Sequence, residues 1–122
     1  DVLEWKGLLY DFLGYRFEVD GKVISYCTDT GYCDHAEELS RNADLLISEC
    51  ALLSGQMSDA WPHMNPQLAA RLAVESKAKK LALTHFDAAL YTTPAKRLKA
   101  QAHARKLFPA SFAAYDGFKI GV

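Results

Sequence analysis

Two short polar segments interrupt the chain where apolar, strand-like runs end. They are TDTG at residues 28–31, which contains Asp29, and LTHF at residues 83–86, which contains His85. Residues that follow strand ends in an alternating α/β protein gather at one edge of the sheet, and a carboxylate beside an imidazole can bind a divalent metal ion there. A hydrolytic zinc site needs three or more protein ligands, and the sequence has no H-x-H or H-x-x-x-H pair. The sequence therefore predicts only part of a metal site.

Both residues also have an ordinary structural interpretation. Asp29 could cap a helix that begins near Asp34, or shape the TDTG turn, as many loop aspartates do. His85 could be half-buried and bonded to a backbone carbonyl. The two metal-ligand interpretations support each other because both residues follow strands of one alternating sheet.

Glu49 and His63 form a second candidate pair. Glu49 ends an apolar strand, and His63 lies just before the N-cap of the next helix. A carboxylate that contacts an imidazole at a sheet edge can pass a proton to a leaving group, which is general acid catalysis. Alternatively, Glu49 pairs with a lysine and His63 only packs under Trp61.

The cysteines and the remaining histidines carry weaker signals. Cys27, Cys33 and His35 lie within nine residues, but their spacing matches no usual zinc-binding pattern and a fourth ligand is not evident. An odd number of cysteines in a chain of this size predicts reduced thiols, with Cys27 in the core. His103, among lysines and arginines, is expected on the surface of the last helix.

Composition predicts one domain over residues 1–122, since half of the residues are apolar. No apolar run approaches the roughly 18 residues that span a membrane, and the first residues do not resemble a signal peptide. A cytoplasmic protein without membrane contact is therefore expected.

Charge is divided unevenly along the chain. Residues 1–61 carry a net charge of −8 and residues 62–122 a net charge of +7. The basic half could bind RNA or DNA, although a solvated outer helix face explains the charge as well. Much of it lies on one predicted helix, at Lys96, Arg97, Lys99, Arg105 and Lys106.

Hydrophobic periodicity predicts the order β-β-α-β-α-β-α-β-β. A hairpin turns at Asp20-Gly21, and strands over 43–48 and 80–84 alternate with helices over 34–41 and from Pro66 to about Ser76. Residues 50–62 form a loop. A last helix begins at Pro94, with Leu98, Ala102 and Leu107 on its apolar side. A closing hairpin joins 111–115 to 118–122. The fold class is α/β, with helices on one face of a mixed sheet.

Five segments, in this order, resemble the C-terminal half of a metallo-β-lactamase-fold hydrolase of the ribonuclease Z branch. They are GYRFEVDGKVISYCTDTG at 14–31, ADLLISECALL at 43–53, PHMNPQLAARLA at 62–73, KKLALTHF at 79–86 and FAAYDGFKIGV at 112–122. The resemblance implies half of an αββα sandwich. It also implies a binuclear zinc hydrolase that cleaves phosphodiesters, with a nucleic acid or another phosphodiester as its substrate.

The resemblance also implies roles for the candidate residues. Asp29 corresponds to the carboxylate that bridges two zinc ions, and His85 to the terminal ligand of one ion. Glu49 and His63 correspond to the positions that help move a proton to the leaving oxygen.

The chain departs from the family pattern in its ligand set. The H-x-H-x-D-H motif, which supplies most ligands, belongs to an N-terminal half that this chain does not contain. A further histidine expected before the GY-R-like strand is absent too, since Leu8, Leu9 and Tyr10 occupy that region. Because affinity depends on ligand number and rigidity, this chain alone is expected to bind zinc weakly and to be a poor hydrolase.

Two functional interpretations follow. The chain either comes from a hydrolase, or it is a non-catalytic half-fold module that self-associates or binds a protein partner. A lone half-sandwich would expose the apolar face of its sheet. The chain is therefore expected not to be monomeric, and to need a homo-oligomer or the missing N-terminal half.

Overall fold

The computed structural model describes the backbone of residues 2–6 and 11–122 and the side chains from Gly14 onward. Six strands form one mixed sheet in which spatial order follows sequence order. The first three pair antiparallel, and the third to the sixth run parallel. The strands are β1 (Val2–Lys6), β2 (Asp11–Val19), β3 (Lys22–Cys27), β4 (Leu45–Glu49), β5 (Leu81–Thr84) and β6 (Ser111–Ala113).

The predicted first hairpin is confirmed as β2–β3. Val19 pairs with Lys22 across a two-residue turn in which Asp20 and Gly21 both have positive φ, 50° and 72°. This is the conformation that an Asp-Gly hairpin turn favours. Strand β1, which pairs with β2, was not predicted.

Three helices connect the parallel strands: α1 (Asp34–Ser40), α2 (Pro66–Glu75) and α3 (Pro94–Arg105). Because each crossover moves to the next strand in one direction and such crossovers are right-handed, all three helices cover one face of the sheet, as predicted. Asn65 caps α2 by accepting a hydrogen bond from the Leu68 amide at 2.8 Å. In the described part of the chain, no helix is long and apolar enough to cross a membrane.

The predicted apolar side of α3 was wrong. Leu98 and Leu107 are 58% and 50% exposed, and Ala102 is exposed as well, whereas Ala100 and Ala104 are buried. Two residues along a helix turn the side chain by about 200°, so the two sets lie on opposite sides. In an alanine-rich helix the apolar pattern does not distinguish these sides.

The predicted closing hairpin was also wrong, because residues 118–122 form no strand. The turn is present, with the Phe118 amide donating to the Tyr115 carbonyl at 2.8 Å. The free edge of β6 is taken by α3 instead. Gln101 accepts from the Ala113 amide at 2.9 Å, and Arg105 donates to the Ser111 carbonyl at 2.8 Å. Side chains that cover an edge in this way exclude a further strand.

The sheet face opposite the helices is apolar. Tyr15 pairs with Tyr26, and Phe17 with Ile24, so these four side chains share that face. Phe17 is 50% exposed, and Tyr26 is exposed too. The helix-covered face, by contrast, contains the core, which includes Leu46, Leu72, Leu81 and Leu83.

Asp44 links β3, β4 and the segment after α2. It accepts a hydrogen bond from Lys79 Nζ at 2.7 Å and another from the Val23 amide at 2.9 Å. These two hydrogen bonds hold the pKa of Asp44 below its ordinary value, and the bond from Lys79 contributes most. Because the folded pKa is depressed, the carboxylate stabilises the fold above its unfolded pKa.

We expect Asp44→Asn to lower the free energy of unfolding at about pH 7. The deficit relative to wild type should vanish as the pH falls through the folded pKa of Asp44, because both side chains are then neutral. Urea titrations monitored by circular dichroism at several pH values measure this. Asp59→Asn, at an exposed loop position, is the control. A deficit that stays constant with pH would contradict the assignment.

Candidate metal centre

Three parallel strands end at the same edge of the sheet. Cys27 pairs with Ser48, and Ser48 with Leu83, so β3, β4 and β5 stop nearly level. Asp29 lies two residues beyond β3, and His85 directly follows β5. The strand ends therefore bring both predicted ligands to one edge.

Asp29 and His85 are in direct contact. His85 Nε2 lies 3.1 Å from Asp29 Oδ1, and both side chains are exposed. Their backbones also share an unusual feature, since φ is 53° at Asp29 and 54° at His85. A non-glycine residue in the left-handed region costs on the order of 1–3 kcal/mol when the surrounding structure imposes it, and such residues cluster at functional sites. At both residues the side chains meet at the same edge of the sheet.

His63 joins this pair. One ligand atom from each of Asp29, His63 and His85 lies within 4.8 Å of the other two, and the two imidazole rings are 6.0 Å apart between centroids. Nitrogen and oxygen ligands of a tetrahedral zinc ion lie about 3.4 Å apart. The three side chains would therefore have to move closer together for one ion to contact all of them. Among residues 14–122, whose side chains the structure describes, this is the one group of its kind.

Glu49 holds His63 in place. Its Oε1 lies 2.7 Å from His63 Nδ1, and the carboxylate is fully buried. It also accepts hydrogen bonds from the Thr30 amide at 2.9 Å and the Ala51 amide at 3.1 Å. Burial raises the pKa of Glu49, while the hydrogen bond from His63 opposes that change.

The structure brings together the four residues singled out from the sequence. It also gives His63 a second possible role, as a metal ligand. With Nδ1 bonded to Glu49, Nε2 is the nitrogen available at the site. A carboxylate that orients a histidine is a common arrangement around bound metal ions. The sequence predicted His63 only as a proton carrier. Its proximity to Asp29 and His85 has no local sequence signal, because it depends on the loop over 50–62.

The structure also bears on the other interpretations of the histidines and cysteines. His63 does lie beside Trp61, with ring centroids 6.1 Å apart, but Glu49 bonds His63 rather than a lysine. Cys27 is buried, and burial raises the pKa of its thiol. The three cysteines are free, as predicted, and the metal-ligand group does not include them. His103 is half-buried and lines a cavity between α3 and the loop after β4.

Comparison with known sequences shows which protein family the chain resembles. A family model described as "Beta-lactamase superfamily domain" matches residues 5–86. Ribonuclease Z of Acaryochloris marina is 39% identical over 109 residues, which cover 87% of this chain and 34% of that protein. Ribonuclease Z of Nostoc punctiforme is 36% identical over 99 residues, covering 79% and 31%. The chain thus spans about a third of the length of these curated relatives.

Solved structures share the fold. The metallo-β-lactamase fold protein YhfI from Bacillus subtilis matches with a TM-score of 0.80 and 28% identity, over 96% of this chain and 48% of that chain. Human tRNase Z, short form, matches with a TM-score of 0.57 and 34% identity, over 63% and 31%. A diphosphatase of the PhnP family, at 23% identity and a TM-score of 0.62, shares the fold alone. The predicted fold class is confirmed.

Asp29→Asn should remove metal binding. Asparagine tolerates the left-handed backbone of this position, so the substitution removes the charge without adding strain. After equilibration with zinc or manganese and gel filtration, elemental analysis should give a metal-to-chain ratio at background. Asp34→Asn, on the exposed start of α1, should behave as wild type. An unchanged ratio in Asp29→Asn would exclude this residue as a ligand.

Glu49→Gln should weaken metal binding indirectly. The amide nitrogen would face one of the N–H donors that now bond the carboxylate, so His63 would lose its orientation. We expect about 10–100-fold lower affinity for zinc by calorimetry, together with a lower melting temperature. Glu38→Gln, at an exposed position of α1, is the control. A lower melting temperature at unchanged affinity would limit Glu49 to a structural role.

Proposed function

The chain belongs to the metallo-β-lactamase superfamily, and from that membership we propose that it forms one side of a binuclear zinc site that hydrolyses phosphodiesters, as in ribonuclease Z. The observation that carries the proposal is the convergence of Asp29, His63 and His85 at one sheet edge. The donors are two imidazoles and a carboxylate, a set that suits zinc and similar divalent ions.

The exposed pair supplies the binding function. His85 and Asp29 would hold metal ions, and Asp29 has a second carboxylate oxygen with which to bridge two of them. When bound, such ions activate water and stabilise the charge that develops on the phosphoryl oxygens.

The buried pair supplies a proton function. Glu49 is fully buried and its Oε1 lies 2.7 Å from His63 Nδ1, so the carboxylate would stabilise a protonated imidazole. Nε2 of His63 then holds a proton that can pass to the leaving oxygen of a phosphodiester. In the alternative role, a neutral His63 binds metal through Nε2 while Glu49 orients the ring. In both roles Glu49 acts through His63.

Three ligands do not complete a binuclear site. The chain spans about a third of the curated relatives, so the remaining ligands would come from the rest of the αββα sandwich. The apolar sheet face is the surface where that remainder would pack. In a preparation of this chain alone, we propose that a second copy covers this face.

Catalysis is tested directly with the chain as it exists. Cobalt titration should produce visible absorption bands whose intensity reports the coordination number of the bound ion. Zinc- or manganese-loaded protein should hydrolyse bis(p-nitrophenyl) phosphate slowly, and Asp29→Asn and His85→Ala should abolish that activity. Absence of cobalt bands and of turnover at millimolar metal would favour the second candidate, a non-catalytic module that binds through its exposed apolar face.

Self-association should depend on Phe17. Phe17→Lys places a charge on the apolar sheet face, so we expect this variant to elute from size exclusion at the monomer position and wild type as a larger species. Leu107→Lys is the matched control, because Leu107 is equally exposed at 50% but lies just beyond α3. A monomeric wild type that binds no hydrophobic dye would contradict the proposal.

A further inference from the structure

A cavity of about 290 Å³ lies beside the candidate metal centre. Because His85 forms part of its wall, the cavity and the metal-ligand group share a side chain. The other residues come from the end of β5, from α3 and from the turn after β6. The wall includes Thr84, His85, Phe86, Arg97, Tyr115 and Asp116.

Arg97 is the unusual member of this wall. Its guanidinium lies over the Phe86 ring, 5.6 Å from the centroid. Its Nε is buried and has no hydrogen-bond partner in the described part of the chain. Buried polar groups in native proteins are nearly always hydrogen-bonded, so an exception calls for an explanation such as an absent ligand.

Arg105, two turns further along α3, provides an internal comparison. It also stacks on an aromatic ring, with its guanidinium 5.3 Å from the centroid of Phe112. Unlike Arg97, it donates from Nε to a backbone oxygen, the Ser111 carbonyl, at 2.8 Å. Stacking therefore does not prevent an arginine of this helix from finding an acceptor. Arg97, which lines the cavity beside His85, lacks such an acceptor at Nε.

We propose that Arg97 binds an oxyanion in this cavity, a phosphate group of the substrate next to the one that is cleaved. A guanidinium is suited to this task because its planar set of donors matches phosphate oxygens. Asp116 lies in the same wall, but no salt bridge joins it to Arg97 within residues 14–122, so the guanidinium stays available. That the anion belongs to a substrate rests on the proposed function, whereas binding of the anion does not.

Inorganic phosphate is the probe, titrated into the full chain in the presence of a chelator. The Nε–Hε resonance of Arg97 in ¹H–¹⁵N spectra should shift with saturation. Arg97→Gln should bind phosphate about tenfold more weakly, because a charged hydrogen bond is lost. Arg97→Lys keeps the charge without the planar donors and should be intermediate. Lys99→Gln removes the same charge from the same helix outside this cavity, and should bind as wild type.

The outcomes separate this inference from the proposed function. If Arg97→Gln folds by circular dichroism and binds phosphate as tightly as wild type, the inference is wrong. Equal weakening by Lys99→Gln would also overturn it, because diffuse charge would then explain the binding. Should Arg97→Gln not fold, the Arg97→Lys titration and the wild-type resonance shift decide the question.

Phosphate should bind equally tightly with and without chelator, because Arg97 needs no metal to hold the anion. Loss of phosphate binding when chelator is added would assign the anion to bound metal and contradict the role of Arg97. Phosphate binding through Arg97 in a protein that binds no metal would support the inference and reject the proposed function.

Discussion

The arrangement of residues at the candidate-site edge of the sheet depends on the hydrogen bonds of the buried Glu49 carboxylate. A charge without solvent contact is costly unless hydrogen bonds compensate it. Three groups bond the Glu49 carboxylate: the Thr30 amide in the turn after β3, the Ala51 amide just after β4, and the imidazole of His63. Three separate segments are thereby held around one group. The neighbour of Thr30 is Asp29, so this network also sets the position of the first candidate ligand.

Helix α3 shows how polar side chains can replace an apolar stripe in packing. Arg97, Gln101 and Arg105 recur every four residues, so they share one side of the helix. Gln101 and Arg105 bond the free edge of β6, and Arg97 stacks on Phe86. These three side chains close the edge of the sheet and place the Arg97 guanidinium in the wall of the cavity beside His85. Charge that suggested a solvated face in the sequence is thus partly structural.

The order of elements was largely predictable because its signals are local. The Asp20-Gly21 turn, the Asn65 cap and the alternation of apolar residues each depend on a few neighbouring positions. The errors arose where a distant partner decides the outcome. The last hairpin was predicted from its turn, but α3 occupies the hydrogen-bonding edge that its second strand would need. No local pattern could report that competition.

In the candidate site, too, some residues could be predicted from local sequence and others could not. The sequence by itself determined that Asp29, Glu49 and His85 stand at strand ends, because strand ends are marked by short-range changes from apolar to polar residues. Only the tertiary structure decided that His63 joins Asp29 and His85, and that Arg97 lines the adjoining cavity. The physical reason is distance along the chain. Strand order and helix packing decide which of these remote segments meet, and neither can be read from the residues that meet.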